Sequence, residues 1–216
     1  MRVVVLAVLA LHAALLAYSA GRHSPVFNEA GHLASGVSHL QLRRFDAFRV
    51  NPPLPRLVAA LPTVMASAAT NWRHYQADPL IRAESALGRD FLAANGSRSF
   101  WLVTMARWAT IPFSLLGACV CLRWASYLYG RRAGIVAMML WCFSPFVLAH
   151  ASLITPDAPA AAMAIASCYV FWLWLRRPAW HRAVGAGLVL GLAELTKLTL
   201  ILFYPLWPVI WGAYRL

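Results

Sequence analysis

Apolar residues run almost unbroken for about twenty positions at a time along this chain, and that pattern decides what it can fold into. The runs cover residues 2–20, 100–122, 133–150 and 158–175, and a last one over 183–214 is interrupted by Glu194 and Lys197. About 20 apolar residues are what an α-helix needs to cross a bilayer. The last run is too short for two full spans and too long for one, so it reads as two short or tilted helices meeting near Thr196. Only 12% of the residues are charged and 61% are hydrophobic, whereas a soluble surface is normally built from about a quarter charged residues. The expected fold is all-α, a multispanning membrane helix bundle of about six helices, or five if the last run counts once. Residues 1–216 form a single transmembrane domain, within which residues 21–99 make a large outer loop.

Loop charge orients the bundle, because Lys and Arg flanking a span stay on the cytoplasmic side. Arg2 precedes the first run, Arg123, Arg131 and Arg132 separate the second from the third, and Arg176, Arg177 and Arg182 follow the fourth. The N-terminus is expected in the cytoplasm. All seven acidic residues then fall on the opposite face, the periplasmic side if the chain sits in a bacterial inner membrane. Any chemistry is expected there. A cleaved signal peptide is the other reading of the first run, since Tyr18-Ser19-Ala20 mimics a cleavage site. Its length, and Arg22 and His23 soon after, favour a retained anchor.

The net charge of +12 does not point to nucleic acid, because the Arg are spread over loops on both faces with no dense basic block. Anionic membrane lipids are the expected counterpart. Cys119, Cys121, Cys142 and Cys168 all fall inside apolar runs and suggest no metal site. Asn95-Gly96-Ser97 fits a glycosylation acceptor.

The loop itself is patterned. Residues 26–43 place Phe27, Ala30, Leu33, Val37 and Leu40 on one helical face, with Asn28 available as an N-cap. An amphipathic helix lying at the interface is expected there. Three prolines in Asn51-Pro52-Pro53-Leu54-Pro55 then stop any helix, and residues 57–69 are apolar enough for an interfacial or re-entrant piece. Residues 71–98 are more polar, with Asp78, Glu84 and Asp90, and should pack over the membrane face.

In order along the chain stand Asn28-Glu29, His32, Gly36, Pro52-Pro53-Leu54, Arg56, Ala60-Leu61-Pro62, Arg107, Gly130-Arg131-Arg132-Ala133, Ser144-Pro145, His150, Asp157 and Thr196-Lys197. That order resembles the N-terminal part of the GT-C superfamily, multispanning glycosyltransferases that use polyprenyl-phosphate sugars, notably protein O-mannosyltransferases and aminoarabinose transferases. The resemblance implies transfer of a sugar, with inversion, from a lipid phosphate to an acceptor hydroxyl on the outer face. A carboxylate takes the acceptor's proton and cationic groups hold the departing phosphate. The family's usual catalytic Asp is Asn28 here, and an amide is no base. Glu29 is therefore the implied base, Asp157 the second acid, Arg56 the phosphate ligand, with His32, Arg107 and Lys197 as further substrate-binding groups. No cofactor is demanded beyond the polyprenyl-phosphate-sugar donor as substrate, and no ligand cluster calls for a divalent metal.

Each residue also has a structural reading. Arg56 can snorkel to headgroups, Arg107 can cap a helix end, and Asp157 suits a first helical turn. His32 can be a solvated interfacial side chain or a hydrogen-bond partner of Glu29. Glu194 and Lys197, at i and i+3, can pair with each other. Trp101, Trp108, Trp124, Trp141, Trp172, Trp174, Trp207 and Trp211 form an aromatic belt. The resemblance further implies a partner subunit or additional chain completing the enzyme. A catalytically inactive scaffold or lipid-carrier binder stands beside the enzyme reading, and a transporter or channel subunit behind both.

Overall fold

A computed structural model describes residues 2–76 and 82–215; Asp78, one of the acids of the polar loop, lies outside the described residues. The described residues hold ten α-helices and no strand: α1 (Arg2–Arg22), α2 (Phe27–Leu42), α3 (Leu54–Met65), α4 (Glu84–Asn95), α5 (Arg98–Tyr129), α6 (Arg131–Cys142), α7 (Pro145–His150), α8 (Asp157–Arg176), α9 (Trp180–Glu194) and α10 (Phe203–Arg215). A short 3-10 turn, Leu198–Leu202, precedes α10. Three helices, α1, α5 and α8, are long and apolar enough to cross a membrane. The protein is an all-helical membrane protein. The expected count of six spans is not reached on length alone, because the remaining runs fold as shorter pieces. Residues 133–150 break at Phe143-Ser144, where Pro145 starts α7, and the last run breaks at residues 195–197.

The second run was expected over residues 100–122, but α5 extends from Arg98 to Tyr129, 32 residues. At 1.5 Å per residue that is about 48 Å, well beyond a hydrocarbon core of roughly 30 Å. Its surplus length does two jobs. Leu102, Val103 and Ala106 in its first turns pack with Leu33, Val37, Ala59, Leu87 and Phe91, so α5 forms one wall of a layer made of α2, α3 and α4. Lower down, Ile111 joins Leu16, Val147 and Ala158 in the bundle. A polar staple fixes α1 to that part of α5. Buried His12 Nε2 lies 2.9 Å from Ser114 Oγ, while Trp141 Nε1 of α6 donates to the Ser114 carbonyl at 3.0 Å.

The layer over this end corrects the expectation of an amphipathic α2 with one face in the open. Every residue from Glu29 to His39 is buried, whereas Phe27, expected on the apolar face, is 81% exposed. Small residues explain the difference, because they let neighbouring backbones approach both beside and opposite the aliphatic stripe. A Cβ on Gly31 would sit 2.9 Å from the Glu84 carbonyl oxygen at the start of α4, and one on Gly36 would meet the Arg56 carbonyl oxygen of α3. The backbones of α4 and α3 occupy that space. Two further expectations change with this layer. The N-cap is Val26 and not Asn28, with Glu29 Oε2 accepting the Val26 N–H at 2.9 Å. The second loop helix begins at Leu54, with Pro52 and Pro53 before it and Pro55 in its first turn, where the missing N–H costs nothing, while Pro62 lies inside it. The amide of Asn95, the glycosylation candidate, clasps Ala69 through both backbone groups at 2.9 and 2.8 Å.

Candidate functional site

Three returns of the chain meet at this end of the bundle: the layer of α2 to α4, the turn 151–156 before α8, and the break 195–197 after α9. The Leu54 N–H at the start of α3 donates to the Leu195 carbonyl at 2.9 Å. The Ile154 N–H donates to Glu29 Oε1 at 2.8 Å. Segments far apart in sequence are thus stitched at named atoms.

At the centre lies a buried ion pair. Arg107, 1% exposed, donates from Nε to Glu29 Oε1 at 2.8 Å and from Nη2 to Oε2 at 2.6 Å. With the Val26 and Ile154 N–H groups, the Glu29 carboxylate accepts four hydrogen bonds, which fills its lone-pair directions. Arg107 is equally occupied. Nη1 donates to the carbonyls of Ala20 and His23 at 2.7 Å each, and Nη2 to that of Ser24 at 3.1 Å. All five guanidinium hydrogens have partners, and the orphan carbonyl end of α1 is closed by a side chain from α5. Arg107 does cap a helix end, but it is the end of α1, and the residue lies well inside its own helix.

Arg56 is also turned inward, at 3% exposure. Nη1 donates to the Phe48 carbonyl at 2.8 Å and Nη2 to the Asn51 carbonyl, while the guanidinium carbon lies 5.2 Å from the centre of the Phe48 ring. It holds the loop before the prolines. Burial lowers its pKa to about 10, with the charge of Glu84 working in the opposite direction. His32 stacks on the other side of this loop, its ring centre 4.2 Å from that of Phe48. Burial first, and then the positive charge of Arg56, bring its pKa down to about 4, against a smaller upward pull from Asp157. It is buried and neutral at pH 7, not a solvated interfacial side chain.

The accessible polar groups are different ones. Asp157 begins α8, and its Oδ1 accepts from Lys197 Nζ at 2.7 Å, with both side chains 34% exposed. His150 Nδ1 stands 4.0 Å from Asp157 Oδ2. Lys197 therefore does not pair with Glu194. The helix ends at Glu194 and Lys197 is extended, at φ −156 and ψ 129, so the i, i+3 geometry no longer exists. Asn28 is exposed on the first turn of α2. Of the residues expected to act, Glu29, Arg107, Asp157 and Lys197 are brought together through Ile154 and the turn before α8, and His32 and Arg56 lie beside them in the layer. Sequence reasoning missed the His150 contribution to this cluster and the pairing of Glu29 with Arg107. Among the described residues no group of three or more His, Cys, Asp or Glu is arranged to hold a metal ion.

Apolar helices of spanning length that gather carboxylates and bases at one end define a multispanning membrane protein with a polar site at one face. Residues 95–214, more than half of the chain, match the family described as dolichyl-phosphate-mannose-protein mannosyltransferase, and the chain belongs to that family. No curated protein and no solved structure matches it. The match covers Arg107, His150, Asp157 and Lys197, while Asn28, Glu29, His32 and Arg56 precede it. The family is that of a GT-C-type membrane glycosyltransferase.

Proposed function

We propose that the chain transfers a sugar from a polyprenyl-phosphate donor to an acceptor hydroxyl at the Asp157–Lys197 end of the bundle, on the outer face of a bacterial inner membrane. The observation that carries this reading is the one-third-exposed Asp157–Lys197 pair inside the region that matches the family. Asp157 is the proton acceptor in this proposal, a role moved from Glu29 because all four acceptor directions of Glu29 are taken. Glu29 and Arg107 then act as positioning residues for the turn that carries Asp157. Lys197 binds the departing phosphate. Its ammonium has three donors on a flexible stem, so it can leave Asp157 for a phosphate oxygen, and that exchange would free the carboxylate to take the acceptor's proton. Arg56 keeps its loop in place and adds positive potential without direct contact, and His32 stacks, neutral, on the Phe48 ring of that loop.

A second reading is favoured by Asn28. It is exposed at the place where the family resemblance implies an Asp, so a lipid-carrier-binding scaffold without transfer activity is the alternative. One experiment separates the two. A short-chain polyprenyl phosphate and its mannosyl derivative are titrated against the purified chain and against Asp157→Asn, Lys197→Met and Asn28→Asp. The enzyme reading expects transfer by the wild type, binding without transfer by Asp157→Asn, and weakened binding by Lys197→Met. Binding without transfer by the wild type, restored to transfer by Asn28→Asp, selects the scaffold. If no variant binds the lipid phosphate, both readings fail for this chain.

A further inference from the structure

The opposite end of the bundle carries a basic groove. It lies between α5, α6, α8 and α9 and is an open groove with a volume of about 700 Å³, within the roughly 300–1,000 Å³ typical of ligand pockets. Arg123, Arg131 and Arg182 line it together with Val170, Leu173 and Val189. Arg123 and Arg107 share α5, and the sixteen steps between them at 1.5 Å each put this groove about 24 Å from the Glu29 pair. It is not part of the site described above.

Charge here has no internal counterpart. The sequence contains no Asp or Glu between residues 91 and 156 or between 158 and 193, so nothing in the walls can neutralise three guanidinium groups. Two of the three are held in place. Arg123 Nε donates to the Tyr169 hydroxyl at 3.2 Å, and Arg182 Nη1 donates to the carbonyls of Arg177 and Leu173 at 3.1 and 3.4 Å. The Arg131 side chain makes no hydrogen bond or ion pair with the described residues. Arg123 and Arg131 are exposed and Arg182 is half-buried, so three like charges face one groove open to solvent, where an anion is the ordinary compensation. The same groove has an aliphatic wall on α8, one of the helices of spanning length, so its occupant should carry a phosphate and a hydrocarbon chain side by side. Basic pockets between transmembrane helices bind such headgroups.

We propose that this groove is a binding site for one anionic phospholipid, its phosphodiester on Arg123, Arg131 and Arg182 and an acyl chain along Val170, Leu173 and Val189. The site is independent of the sugar-transfer reading and stands if that reading fails. The test is native mass spectrometry of the chain released from mixed micelles of phosphatidylglycerol and phosphatidylcholine. One retained phosphatidylglycerol is expected, with no comparable retention of phosphatidylcholine. Arg131→Gln, which breaks no internal bond, should weaken retention about fivefold, and the Arg123→Gln, Arg131→Gln, Arg182→Gln triple about 100-fold. A charge-matched triple outside the groove, Arg2→Gln, Arg177→Gln, Arg215→Gln, should retain the lipid. Equal loss in both triples, or no preference for the anionic lipid, would overturn the proposal. Displacement by inorganic phosphate as effective as by short-chain phosphatidylglycerol would overturn the assignment to a lipid.

Discussion

The sharpest consequence of the structure concerns Glu29→Gln. The substitution keeps the shape of the side chain and removes its charge, leaving the Arg107 guanidinium 1% exposed without a counter-ion. It also turns an acceptor of four hydrogen bonds into an amide whose nitrogen faces N–H donors. Breaking one partner of a buried ion pair costs about 3–5 kcal/mol. For a chain of this size each kcal/mol moves the unfolding midpoint by about 2–4 °C, so a fall of roughly 6–20 °C is expected. Intrinsic fluorescence in detergent reports it readily, since the chain contains 10 Trp. Arg107→Lys should fall comparably, because three donors replace five and the carbonyls of Ala20, His23 and Ser24 lose partners. The two substitutions together should cost less than the sum of the singles, as expected for groups in one network. If Glu29→Gln melts within about 2 °C of wild type yet abolishes sugar transfer, the carboxylate acts chemically and the positioning role assigned to it is wrong.

Asp157→Asn and Lys197→Met should do the reverse. Their pair is one-third exposed on both sides, so either change should cost no more than about 1 kcal/mol, seen as a shift of a few degrees in the same melting assay, while sugar transfer is lost; a large destabilisation would make the pair structural. Acid should weaken the fold through His32 and His39. Burial brings both down from 6.5 to about 4, so between those values the unfolded chain binds more protons. The stabilisation is complete above about pH 6.5 and is lost as pH falls towards 4, at most about 3 kcal/mol per histidine. Melting curves at pH 7.5, 6 and 4.5 should show a decline that His32→Gln and His39→Gln flatten; an unchanged slope would refute it. His12→Leu and Ser114→Ala should each cost about 1 kcal/mol, the usual size of a hydrogen bond between membrane helices, measured by unfolding in mixed micelles. Equal stability of both variants with wild type would show that the staple between α1 and α5 contributes nothing.

What the sequence made legible was the global pattern, and what it hid was every pairing. Twenty-residue apolar runs specify a membrane bundle because the bilayer imposes one length on all of them, and that part of the reading stands in α1, α5 and α8. The end of α5 was misread because Arg123 looked like a loop residue, whereas it reaches from the helix to the Tyr169 hydroxyl and the helix runs on until Gly130 at φ +86. Glu29 and Arg107 stand apart in the sequence, one as an implied base and the other as a substrate-binding or helix-capping group, because nothing in a linear sequence joins residues 78 positions apart. Their complete mutual satisfaction is a tertiary property. Lys197 shows the same limit in miniature. Its spacing from Glu194 suggested a helical pair, but the chain leaves the helix between them and the nearest carboxylate becomes Asp157. A usable signal did exist for α2. Gly31, Ser35 and Ser38 opposite the aliphatic stripe allow backbone approach on a second side, and a helix whose polar face is small is a helix prepared to be buried. The charged residues of such a chain are therefore best read by first asking which apolar or small faces will close around them, since burial decides whether an acid such as Glu29 is held by four donors or, like Asp157, stays within reach of a substrate.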